Sequence, residues 1–393
     1  MLPVSPDVCC GCGNCSLVCP KECISLKEND KGFLIPFVNN EICIDCGKCK
    51  KVCPVIEYPP QECLNHTAFA AYAKTSIDRF NGSSGGFFGV AAKYILQQKG
   101  IVYGAAFDDN LQLKTKKAEE EKDLIPLFKS KYLQCNTNTS FRDMQALLEI
   151  GKHVLYTATP CQIGALKKYL GRDYDNLLTI DFLCHGVPSQ SFFDLCIDYV
   201  ENKRNIKIFN YQFRAKKRNG ATPHYYKIKY RKKDKDREKC FLYLHSPFYY
   251  GFQKYISLRE SCYQCPFSKS NRPSDITIGD FHAIDKYVKG INRFDGVSTV
   301  IINTAKGKKF WGEIEDNFVK HSIDFPELIK NKELMCGPTQ KPKEYEEFWQ
   351  DFKVLPFEKF VSKHLNGNRE WKKRVYYRLP KCARRLLKKL MGI

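Results

Sequence analysis

The chain has 393 residues, 43% of them hydrophobic, which is long enough for two or three packed units and too apolar for a disordered segment. Its 64 Lys and Arg against 43 Asp and Glu give a formal net charge of +21, so acidic partners or bound anionic groups are required. Its 20 cysteines imply either a secreted disulfide framework or metal ligation in a reducing compartment. The start MLPVSPDVCC has neither a basic n-region nor an apolar h-region, and no run approaches 18 uninterrupted apolar residues. The longest such stretch, Gly85 to Leu96, is short and contains Lys93. A signal peptide and a membrane span are therefore not expected, and the chain reads as cytoplasmic with reduced cysteines.

Residues 1–56 hold two copies of one motif. The first is Cys9, Cys12, Cys15 and Cys19 followed by Pro20; the second is Cys43, Cys46, Cys49 and Cys53 followed by Pro54. This is the bacterial ferredoxin run, in which the fourth cysteine ligates the other cluster. A two-residue spacing lets three thiolates of one tight turn reach three irons of a cube, and the fourth iron is reached from elsewhere. The expected ligand sets are Cys9, Cys12, Cys15 and Cys53 for one 4Fe–4S cluster, and Cys43, Cys46, Cys49 and Cys19 for the other. Zinc also uses C-x-x-C pairs but does not require the three-cysteine run with its trailing Cys-Pro. Cys10 and Cys23 fall outside the pattern and read as packing residues. Each cluster with four thiolates carries a net charge of about −2 and so offsets part of the basic excess.

Residues 57–66, with two prolines and no periodicity, read as a linker. From Thr67 strands and helices alternate. Strands are expected at 68–73, 101–107, 153–157 and 177–183. Helices are expected at 85–98, with Ser83 or Ser84 as N-cap, and at 141–149, 162–170 and 190–201. Runs 208–213, 225–230 and 240–244, separated by basic turns, read as antiparallel strands, and 275–279 and 297–303 as two more. The expected fold class is an α/β (α+β) core with a mixed sheet, preceded by a small two-cluster ferredoxin-like domain. The core divides at about residue 150 and runs to about 345, with an aromatic and basic segment at 346–393.

Several core motifs occur in order: Ser83-Ser84-Gly85-Gly86, Ser130-Lys131-Tyr132, Thr159-Pro160-Cys161-Gln162, Cys184-His185-Gly186, Cys262-x-x-Cys265, and Asp275 to Asp280-Phe281. Together with the ferredoxin module, this ordered set resembles the coenzyme F420 hydrogenase/dehydrogenase beta-subunit family, from the N-terminus to about residue 305. The resemblance implies a flavin-dependent oxidoreductase core carrying FAD and its own 4Fe–4S cluster. Relatives act on a deazaflavin or tetrapyrroles, or serve surface-polysaccharide pathways. His282 and Ala283 stand where many relatives have Trp-Gly, and Cys135 where Ser is common; these departures bear on the substrate rather than on the electron chemistry.

Ser83 to Gly86 opens a helix, where free N–H groups and the dipole favour a flavin phosphate and glycine permits close approach. An ordinary cap with a close-packed turn is the simpler alternative. Lys131 suits a flavin or substrate phosphate, and Tyr132 suits stacking on an aromatic ring. Cys161 and Cys184 follow neighbouring strands, and with Cys262 and Cys265 they form a four-thiolate set for a third cluster. Buried structural cysteines, or a dithiol at Cys262 and Cys265, are the alternatives. His185 is the candidate proton donor, although a packed histidine is the simpler reading. Asp280 and Phe281 follow a strand and are expected at the cofactor, with a turn residue and a core aromatic as the alternatives.

From Trp371 to Ile393 the chain carries nine Lys or Arg and no acid, interleaved with Val375, Leu386, Leu387 and Leu390. This reads as a basic amphipathic segment for an anionic membrane surface or as a solvated tail; no nucleic-acid-binding motif accompanies the charge, so no nucleic acid is expected. The expected function is electron transfer from a ferredoxin-type donor through 4Fe–4S clusters and FAD to an organic acceptor, the reverse direction being equally allowed. The rival is a non-catalytic electron-transfer subunit that docks a partner enzyme.

Overall fold

The computed structural model describes residues 3–56, 66–137, 139–216, 225–281, 284, 287–288, 296–330, 335–379 and 383. The expected linker at 57–66, His282 with Ala283, and the tail beyond 379 lie outside the described residues, apart from His66 and Ala383.

Thirteen strands are described. In chain order they are β1 Ile24–Glu28, β2 Leu34–Val38, β3 Thr67–Ala73, β4 Ile101–Phe107, β5 Leu113–Ala118, β6 Val154–Thr157, β7 Leu177–Phe182, β8 Lys207–Gln212, β9 Tyr225–Lys232, β10 Lys235–Leu242, β11 Ile276–Asp280, β12 Ser298–Ile302 and β13 Phe318–Ile323. Eight of them form one sheet in the order β13-β3-β12-β11-β7-β6-β4-β5. Its middle is parallel: β11 pairs with β7, β7 with β6, and β6 with β4. Both flanks are antiparallel. Strands β6, β7 and β12 are almost wholly buried, which explains their near-continuous apolar runs VLYT, LLTIDF and STVII.

Helices cover both faces. Helices Phe87–Gln97 and Ala305–Ile314 pack Phe87, Ile95 and Trp311 on one side. Helices Ser140–Glu149 and Pro160–Leu170 pack Phe141, Met144 and Ile163 on the other. The basic run 206–245 is the expected antiparallel meander, a separate sheet of order β10-β9-β8. The aromatic residues beyond 345 are core: Phe348, Trp349 and Phe360 are fully buried with Phe192, Phe193 and Phe248. Helices Tyr345–Val354 and Phe357–His364 thus close the second unit.

The ferredoxin motifs repeat in backbone as in sequence. Gly13 and Gly47 each start a short helix from left-handed backbone, with φ of 83° and 71°. The residues two before them, Gly11 and Asp45, are also left-handed, with φ of 67° and 47°. The helix expected at 162–170 begins at Pro160 and takes Cys161 into its first turn. The helix expected at 85–98 begins at Phe87, with Gly86 rather than Ser83 or Ser84 as its N-cap.

A buried ion pair joins two chain segments at the sheet edge. Arg272 Nε lies 3.2 Å from Asp181 Oδ2, with both side chains essentially inaccessible, and Arg272 also donates to the carbonyls of Phe267 and Phe182. It fastens the loop after Cys265 to the end of β7, just before Cys184. Removing one partner strands the other charge without compensation. Arg272→Met is expected to lower the unfolding free energy by about 3–5 kcal/mol, read by chemical denaturation, and the double variant with Asp181→Leu to recover much of the loss.

Candidate functional site

The parallel strands β11, β7, β6 and β4 end at one edge, and the chain's chemical groups collect there. Cys161 lies four residues past β6, Cys184 two past β7, and Asp280 closes β11. The loop bearing Cys262 and Cys265 folds over the same edge. Its approach depends on Gly186, where a side chain would lie 2.8 Å from Cys262 Cβ. Burial pushes the Cys184 thiol well up, and Cys262, Cys161 and Cys265 push it further. Burial takes Cys262 up to about 12, with Cys265 and Cys161 adding to it. Four half-buried thiols that act on one another are the donor chemistry of a 4Fe–4S cluster, which attracts thiolates and relieves their repulsion.

Cys10, outside the motif pattern, joins this group. Its side chain contacts both Cys12 and Cys161; Cys12 and then burial hold the Cys10 thiol well above the ordinary range although Cys161 pulls it down, while Cys10 and burial push the Cys161 thiol well up. Cys161 is further held by Thr159, whose Oγ1 lies 3.2 Å from its sulfur. The first ferredoxin loop therefore abuts the core thiols. Within the module, burial takes the Cys15 thiol up to about 12, and its cysteine neighbours are Cys9, Cys53 and Cys49. Cys53 likewise feels burial, then Cys9 and Cys49. Cys23 lies 3.3 Å from Cys19 and also contacts Cys43. The fourth cysteine of each motif thus sits against the other motif. Cys9, Cys15 and Cys53 are buried, whereas Cys46 is exposed.

A cleft of about 710 Å³ opens beside the core thiols, and Cys184, His185 and Gly186 form part of its wall. Ser83, Ser84, Gly86, Lys131, Tyr132 and Asp280 line it as well. Phe281 does not: it is buried against Tyr287 in a different apolar cluster, because successive strand residues point to opposite faces. His185 stacks on Tyr255 with ring centroids 4.9 Å apart. Tyr132 stacks on Phe252 at 4.4 Å, so part of the ring expected for a cofactor is already partnered. Cys135 is buried beside Thr115 and stands apart from the thiol set.

Arg214 is the residue that sequence reasoning missed. It grips Asp280 with both terminal nitrogens, at 2.5 and 2.9 Å, and donates to Tyr132 Oη and the Ser83 carbonyl. Burial opposes its charge, but Asp280 more than offsets this. Its φ of 55° is a conformation that side chains rarely adopt. In the sequence it looked like any residue of a basic turn, and its partner is 66 positions away. Lys131 is the cation of the cleft whose proton affinity falls: burial lowers it to about 7, and its ammonium donates to the Phe128 carbonyl at 2.7 Å.

The glycines at 85 and 86 have a structural reason of their own. A Cβ at Gly85 would lie 2.5 Å from the Ala71 carbonyl oxygen, and at Gly86 2.7 Å from that of Asp78. Gly85 N–H donates to Ser298 Oγ, Ser84 Oγ to the Val297 carbonyl, and Ser130 N–H to Ser83 Oγ. These residues fix the turn, and helix Phe87–Gln97 starts at the cleft without a side-chain cap. An uncapped helix start, Lys129, Lys131, Arg214 and an aromatic wall fit an anionic, aromatic cofactor such as FAD.

Residues 151–324 match the family described as the C terminus of the beta subunit of coenzyme F420 hydrogenase/dehydrogenase, and residues 8–56 match the 4Fe-4S dicluster domain. The chain is thus similar, in order along its length, to a 4Fe–4S dicluster domain and to the C-terminal region of this beta subunit. The beta-subunit match contains all four core cysteines, His185, Arg214 and Asp280, whereas Ser83 to Gly86, Lys131 and Tyr132 precede it. A chain of the F420-reducing NiFe hydrogenase complex from Methanosarcina barkeri, solved after xenon derivatization, is similar at 16% identity over 74% of this chain and 91% of that chain, with a TM-score of 0.43. The comparison with curated proteins returns no match.

Lys131 gives the cleft a testable pH dependence. It is protonated below about pH 7 and neutral above, so an anion that needs its charge must bring a proton at higher pH. Pyrophosphate binding, measured anaerobically by titration calorimetry, is expected to weaken as pH rises above 7 and to take up a proton there. Lys131→Met should remove that dependence.

Proposed function

We propose that this chain is an iron–sulfur flavoenzyme that passes electrons between a ferredoxin-type protein and an organic acceptor. The observation that carries the proposal is the shared wall: Cys184 belongs both to the core thiol set and to the cationic, aromatic cleft. An electron centre and an organic site in contact are what such a reaction needs. Exposed Cys46 supports entry at its motif, buried Cys9, Cys15 and Cys53 support transfer inward, and the contact of Cys10 with Cys161 supports arrival at the core thiols. Exposed Ile42, Ile44, Lys48 and Lys51 beside Cys46 suit an acidic protein donor.

FAD bound in the cleft would supply exchange of electron pairs with an organic molecule and of single electrons with iron–sulfur centres. Lys129, Lys131 and the first amides of helix Phe87–Gln97 would take its phosphates. Arg214, its terminal N–H groups taken by Asp280, Tyr132 and the Ser83 carbonyl, would hold the cleft wall in place and lend it positive charge, and Tyr132 and Phe252 would shield the site from water. His185, on the cleft wall beside Cys184, is the chain's candidate proton source at the acceptor. A deazaflavin or a polysaccharide-pathway compound is the proposed acceptor class. The location is proposed to be the cytoplasm, with the basic C-terminus resting on the inner face of the membrane; among the described residues no helix is long and apolar enough to cross one.

Anaerobic analysis is expected to return about twelve irons per chain, in three 4Fe–4S clusters. Cys262→Ser should remove up to about a third of them and leave the dicluster signals intact; a wild-type value near eight would remove the core cluster from the proposal.

Arg214→Gln should retain the iron–sulfur absorbance and lose at least about tenfold in FAD affinity, because one buried charge-assisted contact is removed. Gly86→Asp is a poorer probe, since its side chain would collide with the Asp78 carbonyl and disturb the fold itself. Wild-type protein that binds no flavin after anaerobic reconstitution would refute the enzyme reading in favour of an electron-carrier subunit.

A further inference from the structure

The pleat of the β9–β10 hairpin sorts its charges by face. On one face Glu238 lies opposite Lys229 and Asp236 opposite Arg231. These acids are paired there, Glu238 with Lys227 at 3.1 Å and Asp236 with Arg231 at 2.8 Å. The opposite face carries Lys232, Lys235, Arg237 and Lys239 and no acid of the hairpin, beside Ile228, Tyr230 and Phe241. That face and the end of helix Gln190–Arg204 bound a groove of about 640 Å³ with no acidic residue in its lining. The Arg204 guanidinium and the Lys239 ammonium lie 5.0 and 5.3 Å from the Phe241 ring centroid, two like charges held around one ring. Glu358 is an acid that acts on Lys203 at the groove's end. Such a concentration of cations attracts a polyanion.

The groove is continuous with an apolar feature. A second hollow, of about 190 Å³, shares Lys203, Arg204 and His245 with it and runs to Asn366–Asn368. Helix Trp371–Arg378 begins three residues on and returns to the hairpin's end, where Tyr377 meets Tyr243 at 6.4 Å. On this helix Trp371 is 63% and Val375 50% exposed. Being four residues apart they share one face, flanked by exposed Lys372 and Lys373. A soluble polyanion offers Trp371 and Val375 nothing. A bilayer offers them the boundary between headgroups and acyl chains, where tryptophan is favoured, and offers the cations its phosphates.

We propose that the groove of β9–β10 and helix Trp371–Arg378 form one folded face that docks on an anionic lipid bilayer, with lipid phosphates entering the groove. This extends the reading of the basic C-terminus given above, and the two are separable. The test is co-sedimentation of the reconstituted full chain at low salt with vesicles of phosphatidylglycerol and phosphatidylcholine. Arg237→Glu with Lys239→Glu should weaken binding by about tenfold or more while the iron–sulfur absorbance is retained, since each basic residue near an anionic surface contributes. The same charge change at exposed Lys308 and Lys309, on helix Ala305–Ile314 of the large sheet, should change it little. Trp371→Ser should weaken binding as well. A fourth variant neutralises Arg384, Arg385, Lys388 and Lys389 to Gln and leaves the groove intact. If only that variant loses binding, the tail reading stands and the groove proposal falls; if only the groove variant does, the reverse holds. Wild-type protein that binds heparin but not the vesicles would make the groove a site for soluble polyanions and overturn the membrane assignment.

Discussion

One guanidinium ties the electron-carrying module to the site it serves. Arg259 is buried, and its Nε donates to the Cys9 carbonyl at 2.6 Å, while its terminal nitrogens reach Gln134 Oε1 at 2.8 Å and the Leu34 carbonyl at 2.9 Å. Its own backbone N–H donates to the Val187 carbonyl. It thus links the first ferredoxin loop, the hairpin of the module, the segment after the Cys184 loop and, three positions on, Cys262. Arginine suits this place because a planar fork of five donors satisfies several fixed acceptors at once, and its charge does not titrate. Gln134 repeats the link by donating to the Gly11 carbonyl, as do Thr137 toward Cys12 and Asn14 toward Ala165. Electron transfer falls steeply with distance, so a module held by many short polar contacts to backbone keeps its sulfurs against Cys161 in a way that a linker alone does not.

The cleft shows how the same chain manages opposing demands. The ligand proposed for it is anionic and calls for cations, yet buried cations are costly. Two solutions appear. Arg214 is paired with Asp280 and stays charged. Lys131 has no carboxylate among the partners that shift it, and burial lowers its proton affinity instead. The first lends a fixed positive charge and the second a titratable proton, so the two are not interchangeable. The turn of Ser83 to Gly86 is likewise held from three sides, by Ser130, by Ser298 and by Arg214 with Lys216. Its glycines are needed by the packing of the chain whatever the ligand, which is why the motif by itself was weak support for a phosphate site.

Local features were legible in the residues themselves. The ferredoxin repeat was readable because its chemistry is encoded in spacing within seven residues and confirmed by repetition. The parallel strands were readable because burial on both faces leaves long apolar runs, and the meander at 206–245 because its β-like runs are separated by basic turns. The convergence of Cys161 and Cys184 followed from one further step, the alignment of parallel strand ends. Where the reading fell short, the reason was a choice among side chains of equal type. Phe281 was expected beside Asp280, but alternation along a strand sends adjacent residues to opposite faces. Cys10 and Cys23 carried no motif, yet folding puts them against ligands of other turns. The aromatic residues beyond 345 read only as an aromatic and basic segment set apart from the core, because their partners lie some 100 to 300 positions earlier.

The sequence by itself determined the cluster motifs, the alternation that makes a mixed sheet, and the family resemblance, because each is written in short-range spacing or ordered local motifs. Only the tertiary structure decided which of the many basic residues matter. Arg214 meets Asp280, Arg259 meets Cys9 and Arg272 meets Asp181 across 66, 250 and 91 positions of chain. A cation in a sequence of 64 has no local mark of its partner. Its role is set when folding removes water from around it, and whether it is then paired, neutralised or left on a charged face depends on what the rest of the chain brings beside it.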